Sequence, residues 1–291
     1  MNVKAMRSTG LLSAIVLRLG MVPVRAINEF LKKPTIRLTA LVAGLILGFC
    51  LGAGPAMSAD GMDPDADKIL KSMSTYLGGL PAFTVSADVD SEVIDLLGQK
   101  LQFSSSVAIA AKRPGKLYMS RQGAIADMEV IFNGKTLTLN GKGLDVYKQI
   151  GSPGTIDDAL DTIHIEIGLD APGSDLFYAD PYIGLSSGVV SSTYLGTDYV
   201  NGIECHNLAF RQEKTDWQLW VQVGNAPLPM KYIITTKWVA GAPQYSVRFR
   251  DWNTKPQVKA NQFEFSAPEG ARKLETIEVN EMGELMMKGV Q

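Results

Sequence analysis

Between Asp216 and Trp238 the chain reads DWQLWVQVGNAPLPMKYIITTKW. Trp217, Leu219, Val221 and Val223 alternate with Gln218, Trp220 and Gln222. After the Asn-Ala-Pro-Leu-Pro turn, Met230, Tyr232, Ile234 and Thr236 alternate with Lys231, Ile233, Thr235 and Lys237. A period of two on both arms calls for two long antiparallel strands, each with one face in an apolar environment. The prolines fall in the turn and at a strand start, where a missing N–H is tolerated. The chain must therefore build a sheet with a strongly apolar face and find something to cover it.

The same alternation recurs on both sides of this hairpin. Residues 82–94 and 100–112 pattern as a hairpin around Leu96-Leu-Gly-Gln, and Arg113-Pro-Gly is a turn. Lys116–Arg121, Asp127–Asn133, Lys135–Asn140 and Leu144–Ile150 follow as shorter strands, with Asn133-Gly134 a type I′ turn signal. Later strands are expected at Val189–Asp198, Ile203–Gln212, Trp217–Val223, Leu228–Trp238 and Gln244–Trp252, forming a meander, with Asn201-Gly202 another tight turn. Phe263 and Phe265 suggest a short closing strand, and Glu278–Val290 a helical tail.

Two segments break the pattern. Pro64–Leu77 has acids in its first turn and Ala66, Ile69, Leu70, Met73 and Leu77 at helical spacing, which predicts an amphipathic helix. Thr155-Ile-Asp-Asp is a capping box, and Ile156, Leu160, Ile163 and Ile167 continue at helical spacing to Gly168. Residues 170–188 then read as a partly helical apolar flap. No linker or repeat divides the chain after residue 59.

Lys32, Lys33 and Arg37 precede the apolar run Leu38–Leu51, which leads into the small residues Gly52–Ala59. That order predicts a cleaved secretory signal, cut after Ala59 or Ala56, with a retained membrane anchor as the alternative. The run is short beside the ~20 apolar residues of a spanning helix. The expected division is residues 1–59 as N-terminal extension and signal peptide and 60–291 as one domain, in the periplasm. Phe49 before Cys50 argues against lipidation.

Residues 1–59 hold seven basic residues and Glu29, so the remainder keeps 21 of 28 basic and 29 of 30 acidic residues, a net of −8. An acidic domain excludes a nucleic-acid partner, which calls for a basic stripe. Its lone cysteine, Cys205, has no intramolecular partner.

Candidate chemistry is sparse. Cys205 and His206 are adjacent on a strand and face opposite ways. His164 belongs to the second helical segment. Asp157, Asp158, Asp161 and Glu166 read as a solvated helix face, and Asp63, Asp65 and Asp67 as a helix start rather than a calcium loop. A zinc site wants three or four ligands, and no such cluster is present. No catalytic residue, metal or cofactor is expected, and the protein is not expected to be an enzyme. Phe132, Trp217, Leu219, Met230, Tyr232, Ile234, Tyr245, Val247 and Phe249 share one sheet face if the registers agree. Either the two helices cover that face as solid core, or the sheet curves and leaves an apolar cavity lined by these residues under a lid.

Lys112-Arg-Pro-Gly-Lys-Leu-Tyr-Met119, Val130–Leu139 with its Asn-Gly-Lys hairpin, and Leu144-Asp-Val-Tyr147 stand in an order similar to that of the LolA/LolB-like bacterial lipoprotein carriers. Asp216–Thr236 and the Phe-x-Phe-x-x-Pro-x-Gly pattern of Phe263–Gly270 extend the resemblance over residues 64–274. The whole is most like an uncharacterised family of predicted periplasmic proteins sharing that fold. The resemblance implies a mainly β (α+β) half-barrel: one curved antiparallel sheet forming an incomplete barrel, an N-terminal helix, and lid helices over the apolar concave face. It also implies that Arg113 tethers the lid. The function it suggests is periplasmic, non-catalytic binding of a lipid, acyl chain or lipoprotein, as a carrier. The alternative is an envelope sensor or scaffold that binds another protein. A monomer is expected.

Overall fold

The computed structural model describes residues 61–124, 127–168, 172–276, 278–279 and 285–286. The expected signal and its cleavage site lie outside the described residues.

Twelve strands form one sheet. They are β1 (Ala82–Ile94), β2 (Lys100–Lys112), β3 (Lys116–Gly123), β4 (Asp127–Phe132), β5 (Thr136–Gly141), β6 (Val146–Gly151), β7 (Ser191–Val200), β8 (Ile203–Arg211), β9 (Thr215–Gln222), β10 (Pro229–Thr236), β11 (Gln244–Asn253) and β12 (Arg272–Lys273). The order is β12-β6-β5-β4-β3-β2-β1-β11-β10-β9-β8-β7, which leaves the barrel open between β12/β6 and β7. Every pairing is antiparallel except the short parallel one of β12 on β6. The strands therefore do not run as a single meander. Two meanders, β1 to β6 and β7 to β11, meet where β1 pairs with β11 through Ala87–Phe249, Val89–Val247 and Ser91–Tyr245.

This register carries the alternation across the seam. Val85, Ala87 and Val89 of β1 are buried, as are Val247 and Phe249 of β11 and Tyr232 of β10, so one face is continuously apolar. The Asn201-Gly202 turn has both residues at positive φ, 53° and 77°, as a type I′ turn requires. The Asn133-Gly134 turn differs. Gly134 alone is left-handed, and the Asn133 carboxamide accepts from the Lys135 and Thr136 amides at 3.1 and 3.0 Å. Asparagine can close a turn through its side chain, so the dipeptide does not specify the turn type.

Helix α1 (Pro64–Gly78) starts at Asp63, whose carboxylate accepts from the Asp65 and Ala66 amides at 2.9 and 3.2 Å. Its other oxygen accepts from the Tyr194 amide at 3.0 Å, and the Asp63 amide donates to Ser192 Oγ at 2.8 Å. The cap thus also fastens the helix to β7. Ala66, Leu70, Met73 and Leu77 turn inward and are fully buried, with α1 lying along β7, β8 and β9.

The segment between β6 and β7 carries α2 (Ile156–Thr162), a π turn over Ile163–Ile167, a 3-10 turn over Ser174–Phe177 and α3 (Pro181–Ser186). Thr155 and Asp158 form the expected capping box, and Gly168 ends the helical run at φ 68°. No closing strand forms at Phe263 and Phe265. Residues Ala260–Phe263 make a 3-10 turn that buries the Phe263 ring, and Phe265 packs on Tyr147 with centroids 5.0 Å apart. The aromatic pair anchors a strap rather than a ladder. In the tail, Glu278–Val279 pairs with Leu285–Met286 as two short antiparallel strands instead of the expected helix.

Because Asp63 serves both as helix cap and as clasp to β7, Asp63→Ala should lower the urea-unfolding free energy by about 1–2 kcal/mol. A change within about 0.3 kcal/mol would show that the clasp contributes nothing beyond what solvent supplies.

Candidate functional site

The cover over the apolar face is uneven. α1 occupies the part of the face formed by β7 to β9, where Trp217 stacks on Phe210 with centroids 3.9 Å apart and meets Tyr232 edge-on. The part formed by β11, β1, β2, β3 and β4 lies under the thin lid segment instead. There a cavity of ≈ 290 Å³ remains, near the lower end of the ~300–1,000 Å³ of small-molecule sites.

Val89, Val107, Ile109, Leu117 and Val130 make the sheet wall, and Leu160, Ile163 and Phe177 make the lid wall. Of the nine residues expected on this face, Tyr245, Val247 and Phe249 line the cavity. Phe132, Trp217, Leu219, Met230, Tyr232 and Ile234 belong to the packed apolar core on the same face, outside the lining. Period two assigned the face correctly but carries no information on where a helix will lie along it. The β1 to β3 lining, including Met119 and Arg121, follows the same alternation and could have been read from it.

The lid is launched where three turns converge. The Ile156 amide donates to the Pro114 carbonyl at 2.7 Å, Ser152 to Lys135 at 2.9 Å and Gly154 to Gly134 at 3.2 Å. Arg113, beside Pro114, reaches under the lid, and its Nη2 donates to the Phe177 and Tyr178 carbonyls at 3.1 and 3.0 Å. Burial lowers its pKa, with nearby Asp157 opposing that shift; an arginine nonetheless stays charged. Further bonds brace the lid internally. The Ala179 amide donates to Asp157 at 3.0 Å, and the Tyr178 hydroxyl to Asp161 at 2.8 Å. The Tyr182 hydroxyl donates to Asp67 of α1 at 2.7 Å. Gly78 of α1 sits against the Ala179 carbonyl so closely that any Cβ there would collide with it. The acids read as a solvated helix face are thus partly engaged in lid contacts.

Other titratable groups fall elsewhere. Cys205 is fully buried and donates to the Ile203 carbonyl at 3.4 Å, and burial pushes its thiol up to about 11. That is the opposite of a reactive thiolate. His206, on the other strand face, shares a 3.0 Å hydrogen bond with the Tyr194 hydroxyl. Among the described residues, no group of three or more His, Cys, Asp or Glu side chains is placed to hold a metal ion.

A family model described as "Predicted periplasmic protein (DUF2092)" matches residues 66–277. Comparison with curated proteins gives no match. Among solved structures, the chain is similar to an uncharacterised conserved protein of Thermus thermophilus, at 9% identity and TM-score 0.43, over 72% of this chain and 98% of that one. It is also similar to lipoprotein LppX of Mycobacterium tuberculosis, at 15% identity and TM-score 0.41, over 68% and 99%. A LolA superfamily protein of Nitrosomonas europaea matches at 10% identity and TM-score 0.35, over 69% and 97%. Among the described residues, no helix is long and apolar enough to cross a membrane.

Asp175, in the lid's 3-10 turn, gives this region a pH signature. Burial pushes its carboxyl up, partly offset by His164. A folded-state pKa above the unfolded one means that the folded chain holds the proton more tightly, so stability falls as pH rises from the ordinary carboxylate range through the raised value. Asp175→Asn should therefore be more stable than the parent at pH 7.5, with the gain shrinking as pH falls toward about 4. Urea midpoints across that range check this; a variant less stable than the parent at pH 7.5 contradicts it.

Proposed function

The chain belongs to this DUF2092 family of predicted periplasmic proteins, and we propose that it holds the hydrocarbon part of a lipid or lipoprotein in the cavity under its lid, without catalysing a reaction. The observation that carries this reading is the lining itself, where aliphatic and aromatic side chains face one another across unfilled space. Protein interiors are close-packed and hold few voids larger than a water molecule, so unfilled space of this size is uncommon in a core. Each methylene of an acyl chain buried there contributes ~0.8 kcal/mol, so a short length of chain suffices for useful affinity. In this reading residues 60–291 are the mature domain, acting as a monomer. Tyr245, Val247 and Phe249 are the part of the expected lining that the ligand touches, and Arg113 is the lid tether.

The tether assignment rests on the two carbonyls that one guanidinium nitrogen reaches. A charge-assisted bond of this kind is worth about 1.5–3 kcal/mol. Arg113→Met should accordingly speed amide hydrogen exchange across residues 172–187 more than in the sheet. Equal protection of that segment in parent and variant removes Arg113 from the role.

Mass spectrometry of the protein purified from envelope extracts tests the ligand. The parent should carry acyl lipid, and Val107→Phe, which fills the cavity from β2, should carry at least about fivefold less while keeping the parent's circular dichroism. Overpacking of this kind costs about 1–3 kcal/mol. A lipid-free parent, or equal loading of parent and variant, overturns the reading. A stoichiometric envelope protein in place of lipid would favour the sensor or scaffold function instead.

A further inference from the structure

Resting on the lipid-binding reading, we propose that the mouth of the cavity docks on a zwitterionic bilayer, with the tip of the β1–β2 hairpin and Trp238 of the β10–β11 turn entering the lipid, so that the cavity opens into hydrocarbon. The cavity is not equally enclosed along its length. Ala87, Val107, Ile109, Leu117 and Phe249 are buried, whereas Ser91, Glu92, Val93, Thr236 and Pro243 are half-buried and Gln244 is exposed. The second group lies at one end of the sheet, where β1 turns into β2 at residues 95–99 and β10 into β11 at residues 237–243. That end is the mouth.

The hairpin there outruns its neighbours. The β1–β2 ladder continues to Ile94–Lys100, but among the described residues β11 stops pairing with β1 at Ser91–Tyr245 and β3 stops pairing with β2 at Ser105–Gly123. A two-stranded ribbon is marginal in water on its own. Val93, Leu101 and Phe103 carry the inward alternation along it and are half-buried. Its tip is apolar: Leu96 is 63% and Leu97 93% exposed. The turn that displays them is fixed, since the Asp95 carboxylate accepts from the Leu97 and Gln99 amides at 2.9 and 2.7 Å. The β10–β11 turn abuts this hairpin so closely that a Cβ on Gly241 would come 2.8 Å from Ile94 Cδ1, and Trp238 in the same turn is 73% exposed.

Single exposed apolar residues are ordinary. Three of them on two abutting turns at the mouth of an apolar cavity mark an interaction site. Their placement selects the partner. Side chains projecting from turn tips enter a fluid surface without needing a complementary pocket, and tryptophan favours the boundary between hydrocarbon and water. Docking of this kind is driven by apolar contact, and an acidic domain gains nothing from anionic lipid. A hydrocarbon chain moving between the cavity and such a bilayer stays out of water.

Flotation with dioleoylphosphatidylcholine vesicles, using the protein purified from envelope extracts, tests this. The parent should float, and replacing part of the lipid by dioleoylphosphatidylglycerol should bind it no better. Leu97→Asp, at an exposed position, should keep the parent's circular dichroism and weaken vesicle affinity at least about tenfold, the loss expected when one leucine no longer enters lipid. Trp217 and Trp220 are buried, so phosphatidylcholine brominated in its acyl chains should quench chiefly Trp238. Trp238→Phe should still float and lose that quenching. A parent that does not float, floats only with anionic lipid, or floats with Trp238 unquenched overturns the inference, as does a Leu97→Asp variant that binds as the parent does. A stoichiometric envelope protein held by the parent and not by Leu97→Asp, in place of vesicle binding, also overturns it and assigns the rim to protein. All of these leave the cavity reading standing if the same preparation carries acyl lipid. A lipid-free preparation removes that reading and this inference with it. The parent's lipid dependence and quenching are read even if a variant fails to fold.

Discussion

Everything above the level of the single hairpin depends on the pairing of β1 with β11. Each meander alone would be a small sheet with a face that one helix could cover. Joined through Ala87–Phe249 and Val89–Val247, they present one apolar face too wide for the helical material available. A sheet must bury its apolar face against another layer. Here the layer is one 15-residue helix and a segment of short helical pieces. The mismatch in width between the sheet and its cover is the physical origin of the cavity.

The cover is also divided by kind. α1 brings fully buried apolar side chains to its part of the face and packs it solid. The lid spreads its buried apolar side chains over short pieces: Ile156, Ala159, Leu160, Ile163, Leu176 and Leu185 are buried, but Ile165 and Ile183 face solvent. A face covered by a helix becomes core, and a face covered by a thin strap keeps space. This separates Trp217 and Leu219 from Tyr245 and Val247, although all four have the same alternation and share one surface.

That separation marks the limit of what the chain's pattern discloses. The period-two signal locates strands to within a residue or two and identifies the inward face, as at Val85, Ala87 and Val89. The capping box at Thr155 and the αL stop at Gly168 are local chemistry and equally legible. Strand order is not local. Nothing in residues 82–94 states that they pair with residues 244–253, because alternation records which side is apolar and not which strand lies alongside. The strap at Phe263 shows the same gap, since two aromatics spaced by two fit a ladder or an anchor equally well. Leu117, Met119 and Arg121 alternate on β3 and all line the cavity, but alternation alone does not say that the face they share encloses space.

Arg113 holds main-chain carbonyls, and a carbonyl is present whatever residue carries it. Anchoring the lid therefore makes no demand on the side chains at 177 and 178, which remain available for other contacts. Phe177 uses that freedom to stack on Phe83, with centroids 6.0 Å apart, and to face the cavity, while Tyr178 bonds Asp161 within the lid. Had the anchor been an ion pair to a lid carboxylate, the same short turn would have had to spend a side chain on it and place a second charge beside an apolar cavity. On the proposed reading, a backbone-directed arginine would hold the cover down and leave its inner surface greasy, as a site for a hydrocarbon chain requires.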